Sequence, residues 1–238
     1  MNNNAASFLA VGQDMEAIEL LRKTFDLLSD ECNSIMDETE EEIQSPMHPV
    51  EAHGTSLVPL FNLFNTSSST VTHPESSFVY NNGFVLTSKA GDNCDHDIST
   101  IMSATVIYNM ALAYHRLAIS APESPCCRGW IFKATTFYEQ AIELSLLEIQ
   151  STGGLDHDTS ITIAVASYNN LGQINFDFLS DHDAARRCFE SVSYLMECSL
   201  SCGTESQEAS PFSPEDWEGI LSNLVFVDVL TASVAAAA

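Results

Sequence analysis

The sequence TSITIAVASYNNLGQINFDFLSDHDAARRCFESVSYLM, residues 159–196, predicts two helices joined by a short turn. Its first part is largely apolar, and the residues DHD at 181–183 interrupt it. Beyond this turn the apolar residues recur every three or four positions, which is the period of one helix face. That face consists of Ala185, Cys188, Phe189, Val192 and Leu195. Because the connection is short, we expect the two helices to pack antiparallel.

Similar patterns lie on both sides of this pair. Residues 99–119 are apolar nearly all round, as expected for a helix covered on more than one side, and residues 129–149 carry one apolar face. Residues 1–28 predict a helix, a turn at Gly12 and a second helix. Near the carboxyl end, Ser213 followed by Pro214 offers an N-cap and a proline at the first helical position. A last helix is therefore expected there.

The stretch between the first two pairs has a different character. Residues 30–42 are rich in Asp and Glu and predict either a solvated helix end or a linker. From Ser45 to about Asp97 the helical period is lost, and Asn82-Gly83 stands between β-prone flanks, a pattern typical of a hairpin with a type I′ turn. Such a ribbon would pack aromatic residues such as Tyr80 onto the helices. The alternative is that the whole segment is disordered.

The helix pairs resemble tetratricopeptide repeats (TPRs). In the third pair Asn170-Leu171-Gly172 stand where that repeat has its Asn-Leu-Gly, and Ala185 and Phe189 stand at its second-helix alanine and aromatic positions. The matching residues of the second pair are Asn109, Met110, Ala111, Tyr114, Ala134, Tyr138 and Ala141, and those of the first pair are Ala5, Phe8, Gly12 and Ala17. The resemblance covers roughly half of the sequence.

The resemblance implies an all-α fold, a short irregular α-solenoid of about three TPR-like helix hairpins with a C-terminal capping helix. An inserted loop or β-hairpin segment interrupts it, so the repeats are not evenly spaced. We expect a single domain, 1–238. Its parts are a first helix pair (1–29), an acidic and loop or hairpin insertion (30–98), a second pair (99–147), a third pair (159–197), a capping helix (214–230) and a tail (231–238).

The charge of the chain limits the classes of partner. Asp and Glu number 33 against 8 Lys and Arg, which gives a formal net charge of −25. A field of this sign repels nucleic acid and anionic membranes and attracts basic protein segments. The amino terminus lacks the pattern of a secretory signal, and the seven cysteines follow no disulfide spacing. We therefore expect an intracellular protein, cytoplasmic or nuclear, with reduced thiols.

By resemblance, the first helices of the pairs form a concave surface that binds a peptide or helix of a partner. Asparagine side chains there can hydrogen-bond the backbone of an extended peptide, as in many TPR proteins, or they can merely satisfy neighbouring helices. The candidate partner-binding residues are Asn109, Leu112, Arg116, Asn170, Gln173 and Asp177.

The sequence shows no pattern of a catalytic, metal or cofactor site. Neither Cys94-Asp95-His96-Asp97 nor the pair Cys198 and Cys202 has the spacing of a zinc motif, and phosphate-binding glycine motifs are absent. We therefore expect a protein-protein interaction module or adaptor rather than an enzyme, without cofactor or metal. The alternatives are an enzyme whose site is assembled in three dimensions, with residues 46–98 as a lid, and a structural subunit of a fixed complex.

Overall fold

A computed structural model describes residues 1–38, 56–59, 78–87, 96–151, 157–201 and 212–237. These residues form seven helices and two short strands. The elements are α1 (Asn2–Ala10), α2 (Asp14–Glu38), β1 (Ser56–Pro59), β2 (Phe84–Thr87), α3 (His96–Ser120), α4 (Cys127–Ser151), α5 (His157–Asp177), α6 (His182–Ser201) and α7 (Pro214–Ala237).

The helices pack against one another in chain order. Each helix contacts the next one along the chain, and α3 also contacts α1 and α5. One continuous apolar core includes residues of all seven helices and the rings of Tyr80 and Phe84. The all-α fold that the sequence predicts is therefore confirmed, and the first pair packs directly on the second even though residues 39–95 lie between them in the chain.

The α5–α6 pair shows how individual residues fix the packing. A Cβ atom added at Gly172 would lie 2.8 Å from the ring of Phe189, so only glycine allows this close approach of the two helices. Ser180, with φ of 54°, reverses the chain, and the Asp181 carboxylate accepts a hydrogen bond from the backbone N–H of Ala184 at 2.9 Å. That bond caps α6.

Several helices are longer than their apolar pattern predicts. Helix α2 continues to Glu38 instead of ending at residue 29, so part of the acidic block is helical. The predicted pairs 99–147 and 159–197 extend to 96–151 and 157–201, and α7 reaches Ala237 instead of residue 230. An apolar period indicates the middle of a helix better than its ends, so the bounds that it predicts differ from those of the structure. Helix α7 begins at Pro214 behind Ser213, as the sequence predicts.

The hairpin centred on Asn82-Gly83 was a wrong prediction. Among the described residues only Gly12 and Ser180 have a positive φ, whereas a type I′ turn needs one at both central positions. The chain instead continues through Asn82-Gly83 directly into β2. This strand pairs antiparallel with the distant β1, and Phe84 lies opposite Pro59 and Thr87 opposite Ser56. Contacts of residues 78–84 with the helices override the local turn preference.

Some expectations lie outside the described residues. They include those for residues 39–55, 60–77 and 88–95, which hold the end of the acidic block, most of the predicted lid and Cys94-Asp95. Cys202 of the second possible metal pair and the last residue of the tail lie outside them as well.

Candidate functional site

Four asparagines, one on each of α1, α3, α5 and α7, project toward residues 78–84. They are Asn2, Asn109, Asn170 and Asn223, and between 0% and 7% of their surface is exposed. We call these four residues the asparagine ladder. A buried amide side chain needs partners for its oxygen and its NH₂ group, and here the backbone of residues 78–84 supplies most of them.

Asn223 and Asn170 bind the backbones of Phe78 and Tyr80. The N–H of Phe78 donates to Asn223 Oδ1 at 2.7 Å, and its carbonyl oxygen accepts from Asn223 Nδ2 at 2.8 Å and from Asn169 Nδ2 at 3.2 Å. The N–H of Tyr80 donates to Asn170 Oδ1 at 2.8 Å, and its carbonyl accepts from Asn170 Nδ2 at 2.9 Å. Each of these two residues therefore has both of its backbone polar groups bound by one asparagine.

The next two asparagines both bind Phe84. Its N–H donates to Asn109 Oδ1 at 2.9 Å, and its carbonyl accepts from Asn109 Nδ2 at 2.9 Å and from Asn2 Nδ2 at 3.2 Å. Asn109 Nδ2 also donates to Asn2 Oδ1 at 2.9 Å, so α1 and α3 hold the same residue together. Residues 78–84 thus run from α7 toward α1, opposite to the order of the helices in the chain.

The three residues whose backbones the ladder binds, 78, 80 and 84, are an even number of positions apart. In extended backbone the N–H and C=O of one residue point to the same side and those of the next residue to the other side. The backbones of residues 78, 80 and 84 can therefore face the ladder together. Between them, the carbonyl of Asn82 accepts a hydrogen bond from the Tyr108 hydroxyl at 3.3 Å, so position 82 is also contacted from α3.

Aromatic side chains fill the space beside the ladder. Tyr80 and Phe84 are fully buried, and their ring centroids lie 5.7 Å apart. Tyr80 meets the edge of Phe212 at 5.1 Å between centroids, and Phe84 lies 4.8 Å from Tyr108. These separations are typical of favourable aromatic pairs. The apolar rings thus add burial to a segment that the ladder holds only by its backbone.

Behind the ladder lies a buried polar cluster. Asn170 Nδ2 donates to the Tyr138 hydroxyl at 3.0 Å, and that oxygen lies 3.4 Å from His115 Nδ1. Burial lowers the pKa of His115 to about 4, with Gln173 opposing part of the shift, so the imidazole is neutral at pH 7. Burial also raises the pKa of Tyr108 and of Tyr138 well above the usual value. All of these groups stay uncharged at neutral pH.

Asp216 adds a carboxylate at the α7 side of residues 78–84. Its Oδ2 accepts a hydrogen bond from Asn82 Nδ2 at 3.4 Å and from the N–H of Ser213 at 3.2 Å. Its own N–H donates to Ser213 Oγ at 3.1 Å, which completes the capping box of α7. Burial raises the pKa of Asp216, and the hydrogen bonds from Ser213 oppose that shift.

Comparisons with protein-family models, with curated proteins and with solved structures find no match.

The structure places the six candidate residues in different environments. Asn109 and Asn170 belong to the ladder, whereas Leu112 is fully buried in the apolar core. Gln173 is buried and donates to Asp177 Oδ2 at 2.6 Å, with Asp177 at the exposed end of α5. Arg116 does not reach residues 78–84. It pairs with Asp14 at 3.2 Å and donates to the carbonyl of Leu9 at 2.7 Å.

Sequence reasoning missed the other residues of the site. These are Asn2, Asn169 and Asn223, which bind the backbone of residues 78–84, and Asp216. A signal for one of them was present, because Asn223 is the single asparagine of α7 and stands in a largely apolar stretch, as Asn109 does in α3. Asn2 is the first of three consecutive asparagines, and nothing in the sequence distinguishes it from Asn3 and Asn4. Residues 78–84 themselves carry no pattern that marks them as the occupant of the ladder.

Two other kinds of site are absent from the part of the chain that the structure describes. No three His, Cys, Asp or Glu side chains there are grouped so that they could hold a metal ion. None of the described helices combines the length and apolar character needed to cross a membrane. The cysteines with described side chains, Cys126, Cys127, Cys188 and Cys198, are free thiols.

Proposed function

We propose that this protein is an interaction module or adaptor that binds an extended segment of a partner protein along the asparagine ladder. The observation that carries the proposal is that the ladder already binds an extended stretch of polypeptide, residues 78–84, through its backbone N–H and C=O groups. Every residue except proline offers the same two groups. A segment of another protein can therefore make the same hydrogen bonds, which favours an extended partner over a helical one.

The order of helix contacts supports a short, irregular TPR-like solenoid as the scaffold. Consecutive helices pack in chain order, and the odd-numbered helices contribute the four asparagines of the ladder. The close approach of Gly172 to Phe189 fits the helix crossing of a TPR. In such a scaffold the first helix of each pair lines a common concave surface, and that surface is where partners bind.

The net charge of −25 favours a partner whose segment is flanked by Lys or Arg. Opposite charge raises the rate of encounter and disfavours nucleic acid and anionic lipid as competitors. In the same proposal the protein acts inside the cell, in the cytoplasm or nucleus, where such adaptors meet their partners. The proposed function needs neither a cofactor nor a metal.

The alternative functions have less support. The shifted pKa values near the ladder belong to Tyr80, Tyr108, His115, Tyr138 and Asp216. The first four side chains are packed in the core without exposure, and Asp216 is buried and caps α7, whereas proton transfer to a substrate needs contact with it. For a fixed subunit, we would look for a broad apolar patch. Among the side chains that the structure describes, the most exposed large apolar ones, Phe132, Tyr194 and Val225, lie on three different helices.

The proposal can be tested by capturing partners on the immobilised full chain. Three forms are compared, the wild type, the double variant Asn109→Ala/Asn170→Ala, and the control Asn175→Ala. Asn175 lies on the same helix as Asn170 but contacts Cys188 Sγ, at 3.8 Å, rather than residues 78–84. We expect partners of the wild type and the control to be lost from the double variant, at equal helix content by circular dichroism.

Retention of every partner by the folded double variant would exclude the ladder as the binding surface. Hydrolysis or modification of a captured molecule by the wild type, unchanged by the double variant, would favour the enzyme alternative. A partner that stays bound through all purification steps and masks the exposed apolar side chains would favour the fixed subunit.

A further inference from the structure

The ladder binds backbone atoms of the segment and not its side chains. Any preference for a particular sequence must therefore come from the pockets beside the ladder. Eight hydrogen bonds join four asparagine residues of the ladder and Asn169 to the backbone of residues 78, 80 and 84. These bonds fix the direction and the register of an extended segment. Within that register, the side chains at individual positions meet different surfaces.

Position 78 faces the backbone of α7. A Cβ atom added at Gly219 would lie 2.3 Å from the Phe78 ring, so the absence of a side chain at Gly219 makes room for a flat ring lying against the helix. Positions 80 and 84 are enclosed completely, because the rings of Tyr80 and Phe84 are 0% exposed and contact Phe212 and Tyr108. Three positions thus fit aromatic side chains.

Position 83 fits only a small residue. A Cβ atom added at Gly83 would lie 3.2 Å from Asn109 Oδ1 and 3.2 Å from Leu9 Cδ1. A larger side chain would push Asn109 away from the backbone that it binds. Positions 79, 81 and 82, in contrast, are half-buried, and at position 82 Asn82 Nδ2 donates to Asp216 Oδ2 at 3.4 Å.

Residues 78–84 also differ from an ordinary core element. Residues 78–83 belong to no helix or strand, and their backbone bonds go to side chains of α3, α5 and α7 that are up to 145 residues away in the chain. A segment held in this way has the contacts of a bound peptide. It belongs to the insertion between the first two helix pairs rather than to a pair itself.

From this arrangement, and resting on the proposed function, we infer which kind of partner segment the ladder binds. We also infer which segment occupies the ladder when no partner is bound. The partner is an extended segment of another protein that reads aromatic-any-aromatic-any-polar-small-aromatic, with the polar side chain at the position of Asn82 facing Asp216, and residues 78–84 are an internal ligand that this segment displaces. Flanking Lys or Arg residues would favour the partner, because the chain carries a net charge of −25. A second copy of this chain has the same acidic charge, and its own segment is already bound within the same molecule at high effective concentration.

The test uses a fluorescent peptide of sequence FVYNNGFVLT with lysines at both ends. It is titrated into the full-length wild type and into the variant Tyr80→Ser/Phe84→Ser, in which the internal ligand has lost two buried rings. We expect the variant to bind the peptide at least about tenfold more tightly than the wild type, which corresponds to about 1.4 kcal/mol. Adding Asn170→Ala to the variant should weaken binding by a similar factor. Adding Asn175→Ala should not.

Two control peptides test the sequence preference. One has serine in place of both aromatic residues that match Tyr80 and Phe84, and the other has valine in place of the glycine that matches Gly83. We expect both to bind at least about tenfold more weakly than the original peptide. Equal binding of all three peptides, or no binding to a variant that unfolds cooperatively, overturns the inference.

Hydrogen exchange on the wild type covers the case in which the variant does not fold. In the free protein the amides of Phe78, Tyr80 and Phe84 should exchange slowly, because each donates to a buried asparagine oxygen. Excess peptide should accelerate exchange at these three amides if it displaces the internal ligand. Unchanged protection at saturating peptide would mean that residues 78–84 are a permanent part of the core, and this would overturn the inference, as would a stable dimer that exchanges these segments.

The two proposals fail in different ways. If the peptide does not bind while captured partners still depend on Asn109 and Asn170, the aromatic motif is wrong and the proposed function stands. If captured partners do not depend on these asparagines, the proposed function itself is wrong.

Discussion

Asparagine suits the ladder because its side-chain amide carries one acceptor and two donors. The acceptor can bind a backbone N–H while a donor binds the C=O of the same residue, as Asn170 does with Tyr80. The second donor is then left for the Tyr138 hydroxyl. Aspartate has no donor and serine is too short to bridge both groups, so neither residue could replace Asn170 in this role.

Glycine at position 219 is required by contact rather than by backbone conformation. We predict that Gly219→Ala destabilises the protein, since its Cβ would lie 2.3 Å from the Phe78 ring and overpacking costs about 1–3 kcal/mol. Gly129→Ala is the matched control, because a Cβ there meets nothing within 4 Å and alanine is the better helix former. The free energy of unfolding in urea measures both changes.

The control should be neutral or stabilising by up to about 1 kcal/mol. If the two alanine variants have equal stability, the Phe78 ring does not lie against α7 at Gly219.

Burial of His115 makes stability depend on pH. Its pKa is about 4 in the folded protein and 6.5 in an unfolded chain, so between these values the unfolded chain binds the additional proton. We predict that the contribution of neutral His115 to the free energy of unfolding is fully present above pH 6.5. It is lost as the pH falls toward 4, with a slope of up to about 1.4 kcal/mol per pH unit.

Urea unfolding at pH 4.5 and pH 7, on the wild type and on His115→Gln, isolates this contribution. Burial raises the pKa values of Asp14 and Asp216 in both proteins alike, so their effect is common to the two proteins. The variant should therefore lose less stability on acidification than the wild type. An identical loss in the two proteins would mean that His115 is protonated in the folded state.

At the scale of elements, Arg116 of α3 binds the α1–α2 turn through an ion pair and a hydrogen bond. It pairs with Asp14 at the start of α2 and binds the carbonyl of Leu9 near the end of α1, beside Gly12 with its φ of 78°. Removing it would leave the buried carboxylate of Asp14 without its cation. The candidate binding residue thus has a structural role in the observed fold.

We predict that Arg116→Ala lowers the free energy of unfolding by about 1.5–3 kcal/mol, the usual range for a lost hydrogen bond to a charged group. Hydrogen exchange should rise mainly in α1 and the first part of α2, because the two groups that Arg116 binds lie on those helices. Lys23→Ala is the control, since Lys23 and Glu19 form an exposed pair whose loss should have no measurable effect. Uniform acceleration of exchange in all helices would argue against a local fastening role.

At the scale of the whole molecule, the chain has 33 acidic residues and only 8 basic ones. The resulting net negative charge should destabilise the fold through self-repulsion. Salt shortens the range of this repulsion, from about 30 Å at 0.01 M to about 8 Å at 0.15 M. We predict that the midpoint of thermal unfolding rises with NaCl over this range, by about 2–4 °C for each kcal/mol of repulsion removed.

An uncharged osmolyte at equal osmolarity is the control and should change the midpoint less than NaCl does. A midpoint that falls with NaCl would mean that attractive ion pairs outweigh the repulsion, and the acidic excess would then have no cost for folding.

Much of the fold could be predicted from the sequence, but only part of the site. The helix pairs, the turn at Gly12 and the start of α7 follow from local patterns, and the structure agrees with them. For the site, the sequence identified Asn109 and Asn170 but not their occupant. The one local signal in residues 78–84, Asn82-Gly83, predicted a turn that the structure does not form.

By itself, the sequence determined the all-α class and the succession of helices, because the apolar period within one helix depends only on neighbouring residues. Only the tertiary structure decided that residues 78–84 lie extended on the asparagine ladder and that Arg116 serves the α1–α2 turn. The contacts responsible join residues far apart, such as Phe78 and Asn223, which are 145 positions distant. Their hydrogen bonds and buried rings together outweigh a local turn preference, and no pattern within a short stretch of sequence records them.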